Sequence, residues 1–449
     1  MAGQGMLDSS RRAVFHMLRP RIEELARRIQ TSPLVLWILA GFLIAYLLFF
    51  VVPVFLSANS MQRFEPAPAA DRLGIDLKMR LSWSAFSLDA EATLPDGDGT
   101  VFPPFANLVF APLLSLRFST AYTLLTVLTV LLYVAATLWL PALIRADRRV
   151  TAIAILICAT GLLSYGFQFE LERGQWNAIT MFLALTALWI FHRHDRWRLL
   201  SYLLFVISVQ LKLYPLVLLP LFISDLRRWR ENAIRIVLLA VVNVPLFFVQ
   251  GSRALGFWLS GLGAWASNVW IWEGNPSIHS ALTLASNLAA RRGWPAFSSI
   301  SGPLEIVLSL AVVACLASIL VRAYRNRLEP PSAHYLLAAA IGCLLIPSGG
   351  YDYRLTILGG PLILVYLSEE AADRNVTSSA PLIARRSAIL LLSFAYATTL
   401  FPWAQKPYFL SNNFPALFAT LLVVTWLALT FNGAAPAEPA PAARGLSPG

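Results

Sequence analysis

Ten apolar runs, each about the length that crosses a lipid bilayer, follow one another along this 449-residue chain. They lie near 33–55, 120–144, 150–168, 176–191, 233–250, 304–322, 334–348, 354–368, 386–402 and 414–431. Lipid offers the backbone no hydrogen-bond partners, so such runs must satisfy their own N–H and C=O groups as helices. Hydrophobic residues make up 57% and charged residues 13%, with a mean hydropathy of +0.65, too apolar for a soluble chain of this length. The expected fold is an all-α integral membrane protein with about ten full spans. Two shorter segments, 199–211 and 215–223, read as half-helices on either side of Lys212. The first apolar run begins only at Pro33 and has no small-residue cleavage site, so no cleavable signal is expected.

Charge sets the orientation. With 1–32 taken as cytoplasmic, alternation puts 145–149, 192–198, 224–235, 322–333, 369–386 and 432–449 on the same side. Together these hold 23 of the 35 Lys and Arg, and the longer outer segments hold 11, which matches the positive-inside bias. Basic loops flank 199–223 on both sides, so that segment must enter and leave by one face, as a re-entrant hairpin with Lys212 near its tip. The net charge of +11 then reflects loops facing anionic lipid rather than a nucleic-acid surface. Residues 1–32 read as a basic amphipathic cytoplasmic segment, 33–431 as one membrane domain, and 432–449 as a disordered Pro/Ala-rich tail. The three cysteines sit in apolar runs and form no disulfide or metal pattern.

Two outer loops are large, 57–119 and 251–303. The first carries seven acids and the Pro-broken apolar stretch 101–113, which suits an interfacial helix. The second is rich in tryptophan (Trp258, Trp265, Trp270, Trp272, Trp294), a residue that favours the membrane interface and can stack on sugar rings.

Against this background the polar stretch ELERGQWN, residues 170–177, and Lys212, Tyr214 and Pro215 in QLKLYP stand between apolar runs. Polar groups at membrane depth are costly and usually face a cavity or a partner, so a polar site cut into the bundle is expected. The sequence shows no HxxH, no Cys cluster and no Gly-rich phosphate loop. Asp-Gly-Asp at 96–98 falls in a loop, and direct use of a nucleotide sugar is not indicated. No metal or other cofactor is expected.

Several elements in this order are similar to a known family: Asp76 in GIDLKMRLSW, Phe102-Pro103-Pro104, Gly174-Gln175 with Asn177, Lys212-Leu213-Tyr214-Pro215, and Asn275 with Ser277. Across roughly 70–360 the chain resembles the family-87 polytopic glycosyltransferases of the GT-C superfamily, relatives of polyprenol-phosphate-dependent mannosyltransferases and arabinofuranosyltransferases. The resemblance implies a polyprenyl-phosphate sugar donor, a lipid or glycan acceptor, a site on the extracytoplasmic face of a bacterial plasma membrane, and inverting transfer in one displacement.

The implied roles fall on particular residues. Asp76 is the expected general base, with Asp71 and Asp352 as rivals. Lys212, Arg173 and Arg354 are expected at the donor phosphate. Gln175, Asn177, Tyr214, Asn275, Ser277, His279, Tyr351 and Asp352 are expected to bind sugar or acceptor, although Asn177 also suits a helix cap. One segment departs from the family pattern: PSGGYDYRL at 347–355 stands where relatives often carry a Ser-Pro and histidine-rich motif. No histidine role carries over there, and the donor sugar stays open. Two other classes fit less well. A transporter or flippase would show paired repeats and a midplane site, and a lipid-linked glycan ligase or polymerase would place one dominant loop late in the chain.

Overall fold

The structure is a computed structural model and describes residues 33–52, 72–88, 102–144, 148–223, 227–267, 271–294, 296–325, 332–373, 379–402, 406 and 411–430. Every regular element among the described residues is helical. The amphipathic segment 1–32, the tail 432–449, Asp71, Trp270 and residues 89–101 of the first large loop lie outside the described residues.

Five helical stretches are long and apolar enough to cross a membrane: Leu34–Val51, Phe118–Leu143, Ala296–Arg325, Asp352–Asp373 and Ala380–Thr398. Two bent pairs raise this to seven if each counts as one span: Ala152–Leu162 with Tyr165–Arg173 at 53°, and Trp229–Phe247 with Gly251–Trp265 at 98°. The chain is a multi-pass membrane protein, but the expected ten full spans are not all met. Asn177–Arg193, Ala333–Leu345 and Phe414–Thr430 are shorter helices. One bend has a local cause. The Ser164 hydroxyl accepts from the Phe167 N–H at 3.2 Å and donates to Gly161 O at 2.6 Å, which caps a new helix where the apolar run alone suggests a continuous one.

The bundle is built around two helices buried on almost every side, α13 (Ala333–Leu345) and α14 (Gly359–Asp373). The first helix, α1 (Pro33–Tyr46), packs on α15 (Ser379–Thr398), and Gly41 allows the approach: a Cβ there would meet Leu390 O and Phe394 N at 2.7 and 2.8 Å. The lipid-facing signature lies on the outer helices. Along α4 (Phe118–Val134), α9 (Trp229–Phe247) and α12 (Ala296–Arg325), Leu124, Leu131, Ile234, Val241, Ile306 and Leu310 are exposed apolar side chains. In water such stripes would be aggregation surfaces, whereas in a bilayer they are solvated.

The segment that carries Lys212 has the expected hairpin path. Helices α7 (Asn177–Arg193) and α8 (Arg198–Leu211) run antiparallel, with Ser201 Oγ on Ala187 O at 2.8 Å and Trp176 Nε1 on Leu211 O at 3.3 Å. Lys212 is extended (φ −153°, ψ 135°), and a 3-10 helix follows over Tyr214–Phe222. Pro215 and Pro220 lack the N–H groups of a regular α-helix, which accounts for the tighter winding. This helix runs back along α7. The Tyr214 hydroxyl donates to Asn177 O at 2.9 Å at one end, and Leu221 O meets His192 Nε2 at 3.0 Å at the other. The chain thus returns to the end it left, with Lys212 at the turn.

Candidate active site

Asp76 lies in the first turn of α2 (Ile75–Leu88), at the N-terminus where a helix best tolerates an anion. It is brought to the bundle by the end of α6 (Tyr165–Arg173). That helix closes in a Schellman arrangement: Gly174 is left-handed (φ 68°), its N–H reaches Leu171 O at 3.0 Å, and the Gln175 N–H reaches Glu170 O at 3.0 Å. The turn sends Gln175 and Trp176 into the interior, and α7 starts at once.

A continuous polar line results. Arg173 grips the Asp76 carboxylate with two donors, Nη2 to Oδ1 at 2.5 Å and Nε to Oδ2 at 3.0 Å. The Gln175 amide donates to Asp76 Oδ2 at 2.5 Å, and its oxygen accepts from Lys212 Nζ at 2.7 Å. A carboxylate offers about four lone-pair sites. Three are taken here, and among the described residues one remains on Oδ1. Of the three Lys212 protons, one is committed to Gln175. The ammonium stands over the Phe102 and Trp176 rings at 4.6 and 4.9 Å, so the aromatic faces supply attraction where water is scarce. Arg80, one turn after Asp76, is fully buried and stacks on the same Phe102 ring at 4.5 Å.

The turn 351–354 forms the facing side. Tyr351 lies within electrostatic reach of Asp76, Arg173 and Arg354, and Arg354 within reach of Lys212. Arg354 is half-buried, and its guanidinium makes no hydrogen bond or ion pair among the described residues. The turn is locked by Glu170. One carboxylate oxygen accepts from the Ala178 N–H at 2.9 Å and the other from the Thr356 hydroxyl, which joins the start of α7 to the segment that holds Arg354.

Three expected residues lie in an adjoining buried network. Asp352 accepts from Asn413 Nδ2 at 2.8 Å, and Lys406 Nζ donates to Asn413 Oδ1. Asn275 donates to Ser348 O at 2.9 Å and accepts from the Ser277 N–H at 3.2 Å. Ser277 caps α11 (Ile278–Arg291) through the Ser280 N–H. Asn412 Nδ2 reaches Asn275 O at 2.6 Å. These contacts hold the loop at 272–277 against the turn at 348–352. His279 stands apart, paired with Glu305 at 3.0 Å. Asn177 is fully buried, and its side-chain amide makes no hydrogen bond among the described residues. The Tyr214 hydroxyl is spent on the hairpin.

The structure therefore brings Asp76, Arg173, Gln175, Lys212, Tyr351 and Arg354 together. It places Arg173 on the carboxylate, where the sequence reading put it at the phosphate. That reading gave no role to Glu170, Arg80, Lys406, Asn412 or Asn413. Arg80 had a usable signal, since a residue four positions after Asp76 on one helix shares its face. The Lys406 and Asn413 contacts had none, because they depend on tertiary packing.

A carboxylate set among the cations of Arg173, Lys212 and Arg354 suits group transfer, and the enzyme class itself comes from comparison with known families. The family model for glycosyltransferase family 87 matches residues 101–347, more than half of the chain, and the chain belongs to that family. It is a glycosyltransferase. The match contains Arg173, Gln175, Lys212 and Asn275, whereas Asp76 and the 351–354 turn lie outside it. No curated protein and no solved structure matches the chain.

Proposed function

We propose that this enzyme transfers a mannose-like or arabinofuranose-like sugar from a polyprenyl-phosphate donor to a hydroxyl of a lipid or glycan acceptor, at the extracytoplasmic face of a bacterial plasma membrane. The observation that carries the reading is the line Asp76–Gln175–Lys212. It sets a base and a cation at fixed separation, one on each side of a single amide. The acceptor O–H bond breaks as its proton passes to the open lone pair of Asp76 Oδ1. The acceptor oxygen bonds to the anomeric carbon as the bond from that carbon to the phosphate oxygen breaks, and the electron pair leaves with the phosphate. Lys212 and Arg354 stabilise the charge that develops there. Arg173 and Gln175 orient the carboxylate. The reading calls for no metal, because a monophosphate donor presents no diphosphate for a metal to hold.

The test is sugar transfer in membranes that hold wild type or Asp76→Asn at equal abundance, supplied with radiolabelled polyprenyl-phosphate mannose and arabinose and a lipid extract. Loss of a positioned base costs about 10²–10⁴-fold, so wild type should label a product and the variant should not. A wild type inert with every lipid-linked sugar sinks the donor assignment, and an active Asp76→Asn moves the base elsewhere.

A further inference from the structure

Beside Asp76 stands an aromatic wall that the transfer chemistry leaves unused. Tyr351 and Tyr353 stack at 5.2 Å and 12°. Trp265 and Trp272 flank Tyr351 with ring centroids 5.8 and 5.9 Å away, and Phe169 closes the back at 5.5 Å from Tyr353. Trp265, Tyr351 and Trp272 each keep part of their surface open, whereas Tyr353 behind them is buried. The wall is built rather than accidental. Both tryptophans rest on glycines: a Cβ on Gly349 would collide with the Trp265 indole, and one on Gly274 with the Trp272 indole. Neither glycine is in the positive-φ region, so what these positions require is room for an indole. The polar network of Asn275, Ser277, Ser348 and Asn412 pins the two loops that carry the glycines.

The wall is amphipathic in a particular way. Its open rings offer flat apolar faces, and polar groups edge it: Asp76, Arg173 and Arg354 all lie within electrostatic reach of Tyr351. The Tyr351 hydroxyl makes no hydrogen bond among the described residues. An isoprenoid tail needs no polar rim. A sugar ring does, because it has one face of C–H groups and a circumference of hydroxyls. Phe169 of the wall lies one turn before Arg173, which grips Asp76, whereas Lys212 approaches the wall from behind, 6.0 Å from the buried Tyr353 ring, so a ring seated on the open face is the one whose hydroxyl Asp76 deprotonates. On the transfer reading above, we infer that Trp265, Tyr351 and Trp272 form a stacking platform for a sugar ring of the acceptor, which makes the acceptor a saccharide rather than a lipid alcohol.

The test uses the full chain in lipid nanodiscs with a radiolabelled polyprenyl-phosphate sugar and three acceptor probes: octyl α-mannoside, octyl β-glucoside and octanol. At least one glycoside should accept sugar and octanol should not. Loss of one stacking partner should raise the acceptor KM about tenfold in Trp265→Leu and Trp272→Leu and leave the donor KM unchanged, whereas Trp265→Phe, which keeps a ring, should lie near wild type. Octanol accepting as well as the glycosides, an unchanged acceptor KM, or a donor KM that rises in step with it overturns the platform. A second arm does not depend on turnover. An octyl glycoside bearing a diazirine should label the wall residues in wild type, and free glycoside but not octanol should compete. Labelling elsewhere, or equal competition by octanol, overturns the platform. Specific labelling without transfer supports it and counts instead against the donor assignment.

Discussion

Gly74 and Gly174, far apart in sequence, meet with both backbones in the left-handed region, at φ 65° and 68°. A Cβ on Gly174 would lie 3.2 Å from the Gly74 Cα and 3.0 Å from the Leu77 Cβ, and the Gly74 N–H donates to Glu172 O at 2.6 Å. This contact carries Asp76 to Arg173 and Gln175, because each glycine stands within two residues of a group in the polar line.

Gly174→Ala and Gly74→Ala should therefore damage activity through geometry. An L-residue in the left-handed region costs about 1–2 kcal/mol, and at Gly74 the added methyl would also meet Phe118 and Tyr122 at 2.7 and 2.8 Å. Thermal unfolding in detergent should show a modest loss for both variants. Transfer should fall further than that loss explains, since a misplaced carboxylate is poorly oriented for its proton. Full activity in either variant would show that the glycine contact does not set the site.

Gln175 is expected to couple base and cation. Gln175→Met keeps the size and removes both hydrogen bonds. Hydrogen bonds to charged groups contribute about 1.5–3 kcal/mol each, so kcat should fall ~10–100-fold if one of them acts only in the transition state. Lys212→Met should lower kcat and leave the acceptor KM unchanged, because on the proposed reading the ammonium meets the charge that develops on the leaving phosphate. Steady-state kinetics with each substrate varied in turn separates the two. An acceptor KM that rises in Lys212→Met would place the cation on the wrong substrate.

Glu170 is expected to be a positioning residue. Its removal as Glu170→Ala leaves the buried Ala178 N–H without its acceptor and frees Thr356 from the start of α7. An unsatisfied buried donor costs about 1–3 kcal/mol, so the unfolding temperature should drop clearly. Glu170→Gln keeps one carbonyl oxygen for Ala178 and should lose much less. Equal losses in the two variants would mean that charge, not hydrogen bonding, is what Glu170 supplies.

Much of the site was readable in the sequence because its residues break an apolar pattern. Gln175 and Lys212 are conspicuous among membrane helices, and basic loops on both sides of 199–223 dictated the hairpin that puts Lys212 at a tip. Asp76 could be chosen from seven acids only through a family resemblance, since nothing local marks it off from Asp71. The count of full spans was harder to read. Hydropathy averages over a window and cannot see a single Ser164 hydroxyl ending one helix and capping the next. The partners of Asp352 were beyond reach for another reason: Asn413 lies far along the chain, and only packing brings the two together.

Lys406 allows a prediction with a definite sign. It lies outside the membrane spans, donates to Asn413 and sits near Asp352. Burial disfavours its charged form and lowers its pKa from 10.5 to about 8, although the Asp352 carboxylate acts in the opposite direction. Between these two values the unfolded chain holds a proton that the folded chain has released. Stability must then rise with pH across that window, and the full penalty is present below about 8. Lys406→Met removes the titration. Thermal unfolding in detergent from neutral pH to pH 10.5 should show wild type gaining stability relative to Lys406→Met as pH climbs. The gain should begin near pH 8 and level off once both states are neutral. Parallel curves for the two proteins would show that Lys406 titrates alike folded and unfolded, and that Asp352 and Asn413 fully offset its burial.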